Sequence, residues 1–564
     1  MSDEATTPDG GAPTTTPPTS RRRTLWVATG VAGLTGVVGL AALGGLAARD
    51  DRAGGPERVA DNRAVAPQNA GADTHEDGGK GEEGGDRGRE GRDRGEWGGE
   101  EDHGKAREIP CDDDALVDAL ELANRDHGGT LNLAENCTYE LGVKDRKVGG
   151  ALPEIKQDVT IKGNGSTIKR DAEDTFRIFR VAGGGHLTLD DLTVTGGNAA
   201  EVRHPGRTVS GRALRDGDRG AGDGGALLVE RGGKAHLSKV TLAGNNAEHD
   251  GGAVANFGRL WLAGSTVVDN HARGDGGGIF NRGILKVEES HVDDNTAAGS
   301  GGGIANGSDE RRGEGGPVDL TTADAGKGDH GRHDAGTVEI TGARDGKDAS
   351  WSTLSNNRAG KNGGGLFSSG GYVTVSFTHI TGNTACENGG GVYAENTDLD
   401  LDKVVVAGNH ADGDGGGVVT TGGKHWGYPN TKDEASATIA DSVIVDNTAN
   451  RFGGGIYNGE WLVKIEDGFL TREHDEDDNA ALTLRDTLIK GNTALNGGGI
   501  FNNKAKITLT KTHVTKNTAT DAAKLHRVAG GVLNHEGHVK LDDDSLISDN
   551  DPTNCANTVE DCFN

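Results

Sequence analysis

The sequence predicts an all-β chain: a right-handed parallel β-helix, a three-sheet solenoid of about a dozen coils, with a short N-terminal capping helix. Three observations carry this prediction. Glycine supplies 97 of 564 residues while hydrophobic residues make up 32% and aromatic ones 4%, too little apolar material to fill one large globular core. A motif recurs with a base period near 26 residues, and short alternating apolar runs lie between Gly and Asn clusters.

The repeat is read by column. The apolar residue after each glycine pair is Ala226, Ala253, Ile279, Ile304, Leu366, Val392, Val418, Ile456, Ile500 and Val532, at spacings of 27, 26, 25, 62, 26, 26, 38, 44 and 32. One unit is therefore repeated, with insertions. Before most glycine pairs stands an Asn in an N-x-A triplet (Asn245, Asn270, Asn295, Asn357, Asn383, Asn409, Asn447, Asn492). A second polar column follows the apolar residue (Asn256, Asn281, Asn306, Ser368, Thr420, Asn458, Asn502, Asn534), with Ala394 as its exception.

Runs such as LWL, LKV, VTV, LDL and LTL alternate with period two, which indicates strands and not helices. Three short strands make one coil, and coils about 4.8 Å apart pair in parallel with their equivalents above and below. Stacked Asn side chains can then bond along the axis, as amide ladders do in other stacked sheets. Glycine at the corners permits positive φ and close approach of the next coil.

Residues 1–20 are polar and Pro-rich and predict a disordered cytoplasmic N-terminus. Residues 21–48 place Arg21, Arg22 and Arg23 before 25 residues without a charge, a signal or a transmembrane segment. "SRRRTLW" resembles a twin-arginine export motif with Thr24 as a departure, and an ordinary positively charged leader is the other reading. Either way the positive-inside rule puts the bulk of the chain on the extracellular face, secreted or anchored through residues 24–48 if these are uncleaved. Residues 49–108 read as a charged Gly-rich linker, 109–175 as an N-terminal cap and first coil, 176–550 as the repeats and 551–564 as a tail.

At this point the residues resemble the right-handed β-helix repeat proteins of the pectate-lyase-like superfamily, and within them the repeats of chlamydial polymorphic outer-membrane proteins. "GGAVAN", "GGGIFN", "GGGIYN" and "GGVLN" carry the resemblance across residues 180–550. The entry segment "CDDDALVDALELANRDHGGTLNLAENCTYEL" resembles that of secreted bacterial members, and predicts an amphipathic helix with Leu116, Leu120, Leu122 and Ala123 on its apolar face. The few residues after Asn550 predict no translocator barrel, so the chlamydial mode of export does not carry over. In an exported chain Cys111 with Cys137 would staple the cap and Cys555 with Cys562 the tail, leaving Cys386 over.

The superfamily contains polysaccharide lyases and hydrolases, which implies carboxylates and a base side by side on an outward face. The outward column of the middle strands runs His236, Trp261, Lys286, Glu339, Thr374, Asp400, Thr438, Thr483, Thr508, Lys540, with single charges throughout. Asn396–Asp398 resembles one polygalacturonase tripeptide, without the companion motifs. The expectation is a non-catalytic binding, adhesin-like or structural module, with a polysaccharide lyase or glycoside hydrolase as the alternative.

Asp275, Asn362, Asn388, Asp414 and Asn496 recur before the triple glycine. Asp275 and Asp414 are weak Ca²⁺ candidates, but the same residues are ordinary turn formers, and no cofactor is otherwise expected. Insertions at 307–336, 421–436 and 459–480 follow the same strand and predict loops along one edge. Two of them bring Trp426, Tyr428, Trp461, Phe469 and His474, a candidate rim for a cell-wall or extracellular polysaccharide or a surface protein; loop-pinning is the other reading. Five arginines at 203–219 form a second loop that suits solvent or an anionic wall polymer. A formal charge of −29 argues against nucleic acid.

Overall fold

A computed structural model of the protein describes residues 106–142, 150–200, 221–308, 335–343, 350–422, 435–460, 464–466, 469–471, 480–520, 528–557 and 559–562. All lie in the unit Glu96–Asn564. The leader reading and the linker reading up to residue 105 fall outside these residues; Arg107 and Glu108, read as the end of the linker, instead open a strand, Arg107–Ile109, whose backbone pairs in parallel with Leu131, Asn132 and Leu133 and so already belongs to the solenoid. Among the described residues no helix is long and apolar enough to cross a membrane.

The unit is a right-handed parallel β-helix. One coil runs through strands Arg259–Ala263, Thr266–Val268, His271–Ala272 and Ile279–Asn281 before the next begins at Ile284–Glu288. The first two strand positions of every coil merge into one parallel sheet of 23 strands, and the other two form sheets of 10 and 12 strands. Register is kept coil after coil: Leu262 pairs with Leu237 and Val287, and Ile279 with Val254 and Ile304. Because side chains alternate across a strand, this register stacks Leu237, Leu262, Val287, Ile340, Val375 and Leu401 into one fully buried column.

The register corrects two details. The partners of Ile279 in the first two repeats are Val254 and Leu227, not Ala253 and Ala226. Ala253 instead takes the place of the third glycine, its N–H donating to the Gly278 carbonyl. In the capping helix α1 (Asp113–Arg125), Leu116, Ala119, Leu120 and Ala123 are buried while Leu122 is only half-buried, so the packed face is rotated toward Ala119. Asp112 caps α1 by accepting from the Ala115 N–H at 2.9 Å.

Polar corners are held by ladders. From Asn245 to Asn550 ten asparagines are linked by nine amide N–H to Oδ1 hydrogen bonds of 2.9–3.1 Å without a break. Each Oδ1 also accepts the backbone N–H of the preceding coil's Asn, as Asn357 does from Asn295 at 2.9 Å. The second column is bonded in two runs, Asn256 to Ser368 and Thr420 to Asn534, interrupted where Ala394 has no hydrogen-bonding group. Fully paired buried amides rigidify a core, whereas unpaired ones would cost free energy.

A second apolar layer lies outside the bore. Phe280, Phe367, Tyr393, Tyr457 and Phe501 alternate with inward residues on the 12-stranded sheet, yet they are buried too. The glycine corner folds back over them: Phe452, at the position held by Asp275 and Asp414 in other coils, stacks on Phe501 at 4.7 Å. Gly276 has φ 70°, and a Cβ on Gly277 would lie 2.3 Å from the Gly302 carbonyl oxygen, so the fold-back needs glycine for both conformation and space.

Both ends are stapled, Cys111 to Cys137 and Cys555 to Cys562, and Cys386 is free, accepting from Arg358 at 3.3 Å. Two disulfides suit an oxidising, extracytoplasmic compartment. Strand Cys555–Ala556 pairs with Val532–Leu533, so the 12-stranded sheet runs into the tail.

Candidate binding face

The predicted insertions leave from one corner. They follow strands Ile304–Asn306, Val418–Thr421 and Ile456–Gly459 of the 12-stranded sheet. Trp426, Tyr428, Trp461 and His474 lie outside the described residues, as does the arginine loop; Phe469 opens a strand, Phe469–Thr471, paired antiparallel with Lys464–Glu466, and its side chain is likewise outside them.

Asp275 and Asp414 are buried members of a third ladder. Each side chain in this column accepts the backbone N–H of its equivalent one coil on: Asp250 from Asp275 at 2.8 Å, Asp275 from Ser300 at 2.7 Å, Asn388 from Asp414 at 2.8 Å, Asp414 from Phe452 at 3.1 Å. Burial pushes the Asp414 carboxyl up to about 7 despite Arg451 at 3.3 Å and the Phe452 N–H. Asp250 is also pushed to about 7, by burial first and then by Asp223 and Asp275, with the Asp275 N–H and Arg282 opposing. Among the described residues no group of three or more His, Cys, Asp or Glu side chains converges as a metal site.

The outward column of the middle strands is in the predicted register, with His236, Trp261 and Lys286 on successive coils. Their contacts close the Trp261 ring on both sides along the stack: His236 lies parallel to it at 4.5 Å and the Lys286 ammonium 5.2 Å from its centroid. The Trp261 Nε1–H donates to Glu288 at 2.8 Å, and Lys286 pairs with Glu288 at 2.7 Å. Burial lowers the His236 pKa, and His186 lowers it further against the pull of Asp190 and Glu288. With its faces and its N–H engaged, this ring braces the coils.

One strand further along each coil, a different set converges. His291, Thr353 and His379 occupy one outward column, and Asp293, Ser355 and Thr381 the next. The Thr353 hydroxyl lies 2.9 Å from both Asp293 carboxylate oxygens and 2.8 Å from His291 Nδ1. A hydroxyl has one proton, which goes to the carboxylate; Nδ1–H of His291 then donates to Thr353 Oγ1, and in the neutral ring Nε2 carries the lone pair. Burial raises the Asp293 pKa, although Thr353, the Ser355 N–H at 2.8 Å and His291 stabilise the carboxylate. Ser355 and Thr381 hydroxyls bond at 2.9 Å.

Beside them the half-buried Trp351 ring stacks on His379 at 4.6 Å, with Phe377 edge-on at 6.1 Å. Burial lowers the His379 pKa, so this imidazole is neutral at pH 7. The patch thus combines an aromatic ring with one face covered, two imidazoles and a row of hydroxyls on a rigid sheet. The middle-strand column gives no sign of it in the sequence; the neighbouring column, read with the same period, contains Thr266, His291, Thr353 and His379. Insertions widen the spacing from His291 to Thr353 to 62 residues, which hides their adjacency.

No protein-family profile and no curated protein matches the chain. Solved structures similar to it include two β-helix proteins. The A-module of the mannuronan C-5 epimerase AlgE4 of Azotobacter vinelandii is 14% identical, with 77% of this chain and 95% of that one covered and a TM-score of 0.34. Tailspike protein 3 of bacteriophage CBA120 is 12% identical, with 79% and 61% covered and a TM-score of 0.28.

Proposed function

We propose that the protein is an exported or membrane-anchored surface β-helix that acts as a binding module for an extracellular polysaccharide or surface partner, without catalysis. The observation that carries this reading is the outward patch at Trp351, His379, Thr353 and His291: rings and hydroxyls held in fixed register by a ladder-locked solenoid. A preorganised face of that kind loses little entropy on binding. The two disulfides support an extracytoplasmic location.

The His291–Thr353–Asp293 chain favours one second reading, a polysaccharide lyase or hydrolase, because its carboxylate orients a histidine whose Nε2 can take a proton. A glycan array of the full chain is expected to show retained glycans, and the same glycans incubated with it are expected to yield no new reducing ends or unsaturated products. Product formation abolished by His291→Gln would replace the binding reading with the enzymatic one.

A further inference from the structure

We infer that Trp351, Thr353, His291 and Asp293 form a subsite for one or two uncharged pyranose units of a saccharide chain. The inference rests on the binding reading above and gives it a ligand class. Three features of the patch lead to it.

The first is the ring. Trp351 is half-buried, and its ring contacts among the described residues are His379 on one face and Phe377 at its edge. Trp261 is the contrast, with both sides occupied by His236 and Lys286. A sugar's axial C–H groups pack on an aromatic face, so a platform needs one face left over.

The second is the pattern of donors and acceptors. With its own proton given to Asp293, Thr353 offers no further donor, the neutral form of His291 presents an Nε2 acceptor, and Asp293 presents carboxylate lone pairs. These are acceptors for hydroxyl protons. Ser355 and Thr381 extend the row to the next coil. From His291 to His379 is two coil steps, about 10 Å at ~4.8 Å per step, the length of one to two pyranose rings.

The third is charge. The cation nearest the patch in these contacts is Lys403, which lies 5.8 Å from the Phe377 centroid and is held by Asp402 and Asp441. Neutral His379 adds no charge, and the chain carries a formal −29. A uronate or sulfate placed against Asp293 would meet repulsion, and among the described residues no guanidinium or ammonium acts on Asp293 to offset it. A neutral sugar meets no such penalty.

The test is calorimetric titration of the full chain with cellohexaose, laminarihexaose, mannohexaose and chitohexaose, with polygalacturonate as the charged comparator. At least one neutral hexamer is expected to bind, with Trp351→Ala weakening it tenfold or more. Thr353→Val, which keeps the shape and removes the hydroxyl, is expected to weaken it similarly with the melting temperature retained, whereas Trp261→Phe leaves affinity unchanged. Neutral binding insensitive to Trp351→Ala would overturn the subsite while leaving the binding reading intact. Binding of polygalacturonate alone would overturn the ligand class, and retention of no glycan would overturn both.

Discussion

Replacing Asn357 with alanine tests the ladder directly. Asn357 is fully buried, and its side chain takes part in four hydrogen bonds: its Oδ1 accepts the backbone N–H and the amide of Asn295 at 2.9 and 3.1 Å, and its Nδ2 donates to Val292 and Asn383 at 2.8 and 3.1 Å. Alanine leaves the buried Asn295 N–H without its acceptor, which costs about 1–3 kcal/mol, and each of the other three bonds adds roughly 0.5–1.5 kcal/mol. The expected loss is therefore roughly 2.5–7.5 kcal/mol, a large share of the 5–15 kcal/mol typical of a folded domain. Asn357→Asp is expected to lose at least as much, since a carboxylate keeps the acceptors but faces the Val292 carbonyl and Asn383 Oδ1 without a proton. Urea unfolding followed by circular dichroism measures the total, and hydrogen exchange should show protection falling first near Asn295 and Asn383, because solenoid coils are stabilised by their neighbours. A loss below about 1 kcal/mol, or aspartate tolerated better than alanine, would refute the argument.

Two further outcomes follow from the corners. Asp250 has a native pKa near 7 against about 4 when unfolded, so between those values the native state binds more protons and stability falls as pH rises. Melting between pH 4.5 and 7.5 is expected to show that slope, and Asp250→Asn should lessen it, Asp414 keeping its own share, and gain about 4 kcal/mol at pH 7.5; asparagine already fills this column at Asn362 and Asn388, where it bonds along the ladder. An unchanged slope would assign the titration elsewhere. Gly277→Ala should cost more than about 2 kcal/mol, because its Cβ meets backbone of the next coil. Gly408→Ala, with φ 62° and nothing within 4 Å, should cost only the roughly 1–2 kcal/mol of a left-handed alanine, and equal losses at the two sites would contradict the packing explanation.

Much of the architecture was legible because a solenoid repeats its local rules. The Asn columns, the inward Leu and Val columns and the disulfide-bonded cysteines all answer to spacing along the chain, and so they could be read from it. The one-residue offset at Ala226 and Ala253 has a local cause: alanine there replaces a third glycine, and pattern alone does not separate an alanine in the turn from an apolar residue in the strand. Phe280 and Phe501 were a different matter. Alternation along their strands assigns them outward, and only the fold-back of the glycine corner buries them.

The outward patch around Trp351 depended on tertiary structure still more. Sequence by itself determined that the chain coils, where its corners fall and which columns point outward, because strand alternation and a 26-residue period are properties of neighbours along the chain. Only the tertiary structure decided which outward residues do more than brace the coils. Trp261 and Trp351 are both outward aromatics beside a histidine, yet one is closed by Lys286 while the other stands next to Thr353, His291 and Asp293. That difference arises from side chains on separate coils, brought together across insertions of variable length, and such contacts have no signature in local order.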